Sequence, residues 1–133
     1  MAAVQSILKQ SPGQRWAFLP NTDTKALAET LVAFANGEGG TIVLGVTADG
    51  KLGTYFSLDE AEDLLQGALR LCRPPVYTDW QQEQIPGGLV VLLRVERSGT
   101  VHTLWDGRVL VRKGSENLPL QGQEFGQLLA NRP

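Results

Sequence analysis

Five cations, Arg94, Arg97, Arg108, Arg112 and Lys113, gather in one short stretch with only Glu96 and Asp106 against them, so residues 94–113 carry a net charge of +3. Trp105 lies among them. Guanidinium and ammonium groups contact phosphates whatever the sequence, and an indole offers a face on which a base stacks or a cation rests. Asp106-Gly107 is a two-residue hairpin signal, and a hairpin folded there sets Trp105 opposite Arg108, Thr103 opposite Leu110 and Val101 opposite Arg112. Trp105, Arg108 and Arg112 then share one face beside Lys113, and His102 falls on the other with Leu104, Val109 and Val111. The first face is a candidate for phosphate, sugar and base contacts. A solvated hairpin with a surface cation–π pair accounts for the same residues, and their spacing leaves both readings open. Lys9 and Lys25 fall outside the proposed face.

Other chemistries fit less well. Gly45 to Leu52 has two glycines flanking four residues with Lys51 after the second, as in a phosphate loop, but Leu52 stands where a Ser or Thr should meet magnesium. A turn between strands is the better reading. Gly37, Gly39 and Gly40 follow a helix, whose C-terminal dipole repels anions, so capping and close packing explain them. Asp59, Glu60, Glu62 and Asp63 suit the positive end of a helix without a metal. One cysteine, Cys72, and one histidine, His102, give neither an internal disulfide nor a zinc ligand set, and His102 reads as a packed side chain. No metal or cofactor is expected.

The elements that must position these residues follow from pattern. Thr24 to Asn36 is apolar nearly all round and reads as a buried helix, with Asn21, Thr22 and Asp23 as N-cap candidates and Gly37 as its left-handed C-terminal stop. Thr41 to Val46 reads as a buried strand and Asp49-Gly50 as a turn. Ser57 with Glu60 has the capping-box spacing, and Ala61, Leu64, Leu65, Ala68 and Cys72 keep helical period until Pro74-Pro75. Val76 to Ile85 and Leu89 to Val95 are strands about the Pro86-Gly87-Gly88 turn, and Gln121 to Asn131 forms a closing helix with Phe125, Leu128 and Leu129 inward. Ala2 to Lys9 has the composition of a short helix and Arg15 to Leu19 of a strand.

Two blocks of this sequence together, Ala33-Phe34-Ala35-Asn36-Gly37-Glu38-Gly39-Gly40 running into Thr41 to Val46, and Val111-Arg112-Lys113-Gly114-Ser115, resemble the AlbA-like, Schlafen-type DNA-binding domain. The resemblance runs from about residue 15 to the end of the chain, leaving residues 1–14 as an N-terminal extension and 15–133 as the domain. It implies binding of DNA or RNA, often as a module of bacterial transcriptional regulators, and in some members RNA cleavage by clustered acids. It assigns Arg112 and Lys113 to phosphates, Arg108 and Trp105 to a neighbouring base or sugar, and Asn36, Gly39 and Gly40 to architecture. Members carry a Glu-Phe-Lys-like motif before the first helix; here the matching residues are Ala17-Phe18-Leu19, which leaves Asp49 as the one matching acid. A single carboxylate does not hold the metal ions that nucleolytic hydrolysis normally needs, so no catalytic residue is expected.

The chain of 133 residues, 42% apolar and 20% charged, is long enough for one α/β (α+β) domain with its own core. A mixed sheet covered by three main helices is expected, because buried apolar strands need helices over them. A net charge of −2 excludes a polybasic protein that coats nucleic acid by bulk charge. The absence of a long apolar run argues against a membrane span and, with the lone cysteine, for the cytoplasm. The expected function is a non-enzymatic nucleic-acid-binding module, DNA ahead of RNA, with protein association or self-assembly as the alternative and a metal-dependent nuclease third. The edge of the Asp106-Gly107 hairpin is the expected seam of a homodimer.

Overall fold

The computed structural model describes residues 12–19, 23–47, 51–52, 57–85, 87–120 and 122–130; the expected first helix, Lys9, Asn21, Thr22 and the Asp49-Gly50 turn lie outside them. The elements in chain order are β1 (Trp16–Leu19), α1 (Thr24–Asn36), β2 (Gly40–Leu44), α2 (Leu58–Arg70), β3 (Cys72–Arg73), β4 (Asp79–Ile85), β5 (Gly88–Val95), β6 (Thr103–Leu104), β7 (Leu110–Lys113), β8 (Glu116–Pro119) and α3 (Gln123–Ala130).

The apolar run of α1 produces the expected burial: Leu27, Ala28 and every residue from Thr30 to Asn36 are buried. Of the three cap candidates, Asp23 does the work, its carboxylate accepting the Ala26 N–H at 3.0 Å. The stop differs from expectation. Gly37 sits at φ −96, and the left-handed residue is Gly39 at φ +78, whose N–H returns to the Phe34 carbonyl. A Cβ on Gly39 would lie 2.7 Å from the Val95 carbonyl oxygen and one on Gly40 2.5 Å from that of Arg15, so these glycines let three chain segments meet.

One four-stranded mixed sheet has the order β1-β2-β5-β4, with β1 parallel to β2 and the other neighbours antiparallel. The β4–β5 hairpin forms as the sequence indicates, although β4 starts at Asp79 rather than Val76. Ala17, Ile42, Leu44, Val91, Leu93 and Val95 turn one face toward α1 and α2. Phe18, Val43, Val46 and Val90 form a smaller cluster on the other face. Each fully buried Leu or Phe of the main core contributes roughly 1.5–3 kcal/mol. The predicted capping box starts α2: Ser57 Oγ accepts the Glu60 N–H and the Glu60 carboxylate accepts the Ser57 N–H.

The main departure lies after β5. No Thr100–Trp105/Arg108–Arg112 ladder forms; β6 pairs with β3, and β7 pairs with β8 through the Gly114-Ser115 turn. At Asp106-Gly107 two backbone bonds close a tight turn, Leu104 N–H to the Arg108 carbonyl and Gly107 N–H to the Leu104 carbonyl. Packing against α1 decides this outcome, since α1 lies against α2, β6, β7 and β8 together and shares one core with Leu104 and Leu110. The closing helix forms, but Phe125 and Leu128 are only half-buried and Leu129 is exposed.

Candidate nucleic-acid interface

Trp105 and Arg108 meet without a hairpin ladder to align them. The tight turn brings the Arg108 guanidinium carbon to 5.5 Å from the Trp105 ring centre, and α1 brings Lys25 Nζ to 5.8 Å from it. Lys25, expected to lie off this face, is part of it. Trp105 is half-buried against the main core, which fixes the indole. Arg108 bonds Asp106 at 2.7 Å and Glu29 at 3.1 Å. The hydrogen bond that Arg108 donates to Asp106 holds the Arg108 pKa above its ordinary value. Two cations and two carboxylates leave this cluster electrically neutral. Beside it, Asp106 to Val109, Leu120 and Phe125 line an open cleft of about 540 Å³.

Arg112 departs from its expected place on an exposed phosphate-binding face. It is 5% exposed. Its guanidinium donates to the Gly13 carbonyl (3.0 Å), the Trp16 carbonyl (3.1 Å) and Asn117 Oδ1 (2.9 Å), and it lies 5.1 Å over the Phe34 ring. Burial lowers its pKa from the ordinary value, yet a guanidinium stays charged. Asn117 passes the network on to Thr30 Oγ1, which bonds the Ala26 carbonyl inside α1. Gln14 completes it, donating to the Arg112 carbonyl and accepting from the Gly114 N–H. Arg112 is a framework residue that sets β7 against β1, and Lys113, next along, is exposed and paired with Glu124 of α3.

Asn36 and His102 form a second buried network. Asn36 Nδ2 donates to the His102 and Leu110 carbonyls at 2.9 and 2.8 Å, and its Oδ1 accepts the His102 N–H at 2.9 Å. The Pro74 carbonyl 2.8 Å from His102 Nδ1 can only accept, so Nδ1 carries a proton, and Nε2 is hydrogen-bonded with Ser98 Oγ at 2.9 Å. Both ring nitrogens are spent within the fold, as the reading of a packed histidine requires.

One grouping escaped the sequence reading. Arg15, Arg94 and Arg97 line a cleft of about 370 Å³ with Trp16, Glu38 and Glu96. Three arginines against two glutamates make this cleft net positive, although Arg15 is bonded to Glu38 at 3.3 Å. The signal for Arg94 and Arg97 was in the basic stretch, but Arg15 joins them only through the β1–β2–β5 register, which sets Trp16 beside Thr41 and Thr41 beside Arg94.

Ala17 is buried in the main core beside Ile42 of β2. Among the described residues no three His, Cys, Asp or Glu side chains group as a metal site, and no helix is long and apolar enough to cross a membrane.

The fold defines the class as a small α+β domain with a mixed four-stranded sheet and a glycine-rich helix-to-strand turn. The Schlafen, AlbA_2 family model matches residues 14–121, and the chain belongs to that family. The DIP2311 protein from Corynebacterium diphtheriae shares the fold with a TM-score of 0.69 at 20% identity, over 90% of this chain and 29% of that one. The N-terminal domain of an ATP-dependent DNA helicase RecG-related protein from Nitrosomonas europaea gives a TM-score of 0.57 at 20% identity, over 72% of this chain and 71% of that one. Comparison with curated proteins gave no match.

Proposed function

We propose that this chain is a nucleic-acid-binding module that does not cleave its ligand, with DNA ahead of RNA and a role in transcriptional regulation. Membership of the Schlafen, AlbA_2 family carries the reading, because a fold by itself hosts many functions. The local chemistry supports it. Trp105, with Lys25 and Arg108 against its ring and an open cleft beside Arg108, suits a base and its sugar. Exposed Lys113 and the arginines of the second cleft, Arg15, Arg94 and Arg97, suit phosphates. Arg112 acts through β7 as a positioning residue. The proposed lack of cleavage rests on Ala17 and Leu19, where the family motif has an acid and a base.

Fluorescence anisotropy with labelled duplex DNA, single-stranded DNA and RNA, at low and moderate salt, tests this reading. The expected result is binding that weakens as salt rises, since phosphate contacts release counterions. Absence of binding to all three at low salt overturns it. Incubation with magnesium or manganese is expected to leave each substrate intact, and turnover that Asp49→Ala abolishes overturns the non-enzymatic part.

A further inference from the structure

The two edges of the four-stranded sheet are treated differently. At β1 the outer edge is occupied, because the Trp16 carbonyl accepts from Arg112 and from the Gly13 N–H. At β4 no hydrogen bond reaches the outer edge among the described residues, and five of its seven residues are exposed. Asp79 and Glu83 are the only charges that guard this edge, and its other usual protections are missing. Its pairing with β5 runs from Asp79↔Arg94 to Ile85↔Gly88 in one unbroken register, without a bulge, and Asp-Trp-Gln-Gln-Glu-Gln-Ile contains neither proline nor lysine. Trp80 and Leu58 are exposed side by side at this edge, lining a cleft of about 320 Å³ with Gln81 and Gln82.

We infer that β4 is a self-association edge, pairing antiparallel with β4 of a second copy so that two four-stranded sheets become one of eight strands, with Gln82 on the two-fold axis. Side-chain alternation restricts such a pairing to registers centred on a residue, because each side chain must meet one on the same face. Charge then selects among them. Centred on Gln81, Asp79 faces Glu83 of the second copy; centred on Glu83, that carboxylate faces itself. Like charges directly opposite one another destabilise a pair. Centred on Gln82, all seven residues pair, Gln81 amides face Glu83 carboxylates, Trp80 faces Gln84, and no two charges of one sign meet. Shifts centred on Trp80 or Gln84 keep only three pairs. The strand is thus complementary to its own copy in its longest register, which is what a two-fold interface requires. The homodimer seam moves accordingly from the expected Asp106-Gly107 hairpin, which forms no ladder, to β4.

Sedimentation equilibrium of the 133-residue chain, from micromolar to millimolar concentration, is expected to show reversible dimerisation. Gln82→Lys and Gln82→Glu each put like charges on the axis and should raise the dissociation constant by up to about fivefold, and an equimolar mixture of the two should recover the parent value or better. Gln82→Cys should form an intermolecular disulfide under mild oxidation, since a residue on the axis faces its own copy, whereas Gln84→Cys, facing Trp80, should not. Buried Cys72 leaves this readout clean. Circular dichroism confirms that each variant is folded. A monomer at every concentration overturns the inference. So does a dimer that ignores both charge variants, or one that cross-links through position 84 and not 82.

Discussion

Arg108 and Arg112 lie four residues apart in the same basic stretch and end in opposite surroundings. Arg108 is at the surface, held by Asp106 and Glu29 beside the Trp105 ring. Arg112 is inside, with its donors on two backbone carbonyls and one amide. The difference comes from the Arg112 side chain running over Phe34 of α1 to residues 13–16, so that a strand that looks half-exposed by alternation is buried at Leu110, Val111 and Arg112 in turn. A charge counted in a sequence window therefore contributes to a surface field only if the next layer of the fold leaves it there.

The sharpest test of this contrast is stability. Arg112→Ala takes the donor from the Gly13 carbonyl and from Asn117 Oδ1 and leaves the Trp16 carbonyl to the Gly13 N–H, and at about 1–3 kcal/mol for each unsatisfied buried group the loss should be a few kcal/mol in urea unfolding. Arg108→Ala should leave the midpoint close to the parent's, because exposed ion pairs contribute little. Equal losses for the two would break the comparison.

Next in size is a pH effect from the other side of α1. Burial, partly opposed by the Arg73 charge, pushes the Cys72 thiol from 9.0 up to about 11. The folded state then holds a proton that the unfolded state releases, so stability is intact below pH 9 and falls between pH 9 and 11. At roughly 1.4 kcal/mol per pH unit, the parent should lose about 2–3 kcal/mol across that interval relative to Cys72→Ala. Parallel curves for the two proteins would refute it.

Binding effects should be smaller and confined to the exposed side. Trp105→Leu keeps an apolar side chain but removes stacking, so affinity for single strands should drop by about 1–3 kcal/mol, and by less for duplexes. Lys113→Ala should weaken binding alike across unrelated sequences and make the salt slope shallower by about 1 unit. Lys25 no longer serves as a neutral control, since it shares the Trp105 ring.

Helix bounds were legible where local chemistry decides them, although Gly39 rather than Gly37 takes the left-handed conformation after α1. The bounds of α1 follow from its apolar run, and the start of α2 follows from the Ser57–Glu60 box. The β4–β5 hairpin was legible for the same reason, with Gly87 at φ +96 in its turn. The Asp106-Gly107 turn was legible too, but not what its flanks pair with, because Cys72-Arg73 and Glu116–Pro119 lie far along the chain and offer no local sign of competing. The same limit hid β8, whose turn at Gly114-Ser115 was read only as part of a motif. At the candidate site, the Trp105–Arg108 contact needed one turn and was foreseen. The burial of Arg112 and the joining of Arg15 to Arg94 and Arg97 needed the tertiary register and were not.

Gln14 and Arg112 are joined across 98 residues of sequence, and Gly114 and Gln14 across 100. Closing a loop of that size is entropically costly until most of the intervening chain is already ordered, so this clasp forms late in folding. Its two halves open together: releasing Gln14 frees the Gly114 amide, and releasing Arg112 frees the Gly13 carbonyl and takes one donor from that of Trp16. Residues 13–16 and the β7–β8 hairpin consequently behave as one cooperative unit. A nick or fusion placed near either partner is felt at the other, almost a hundred positions away.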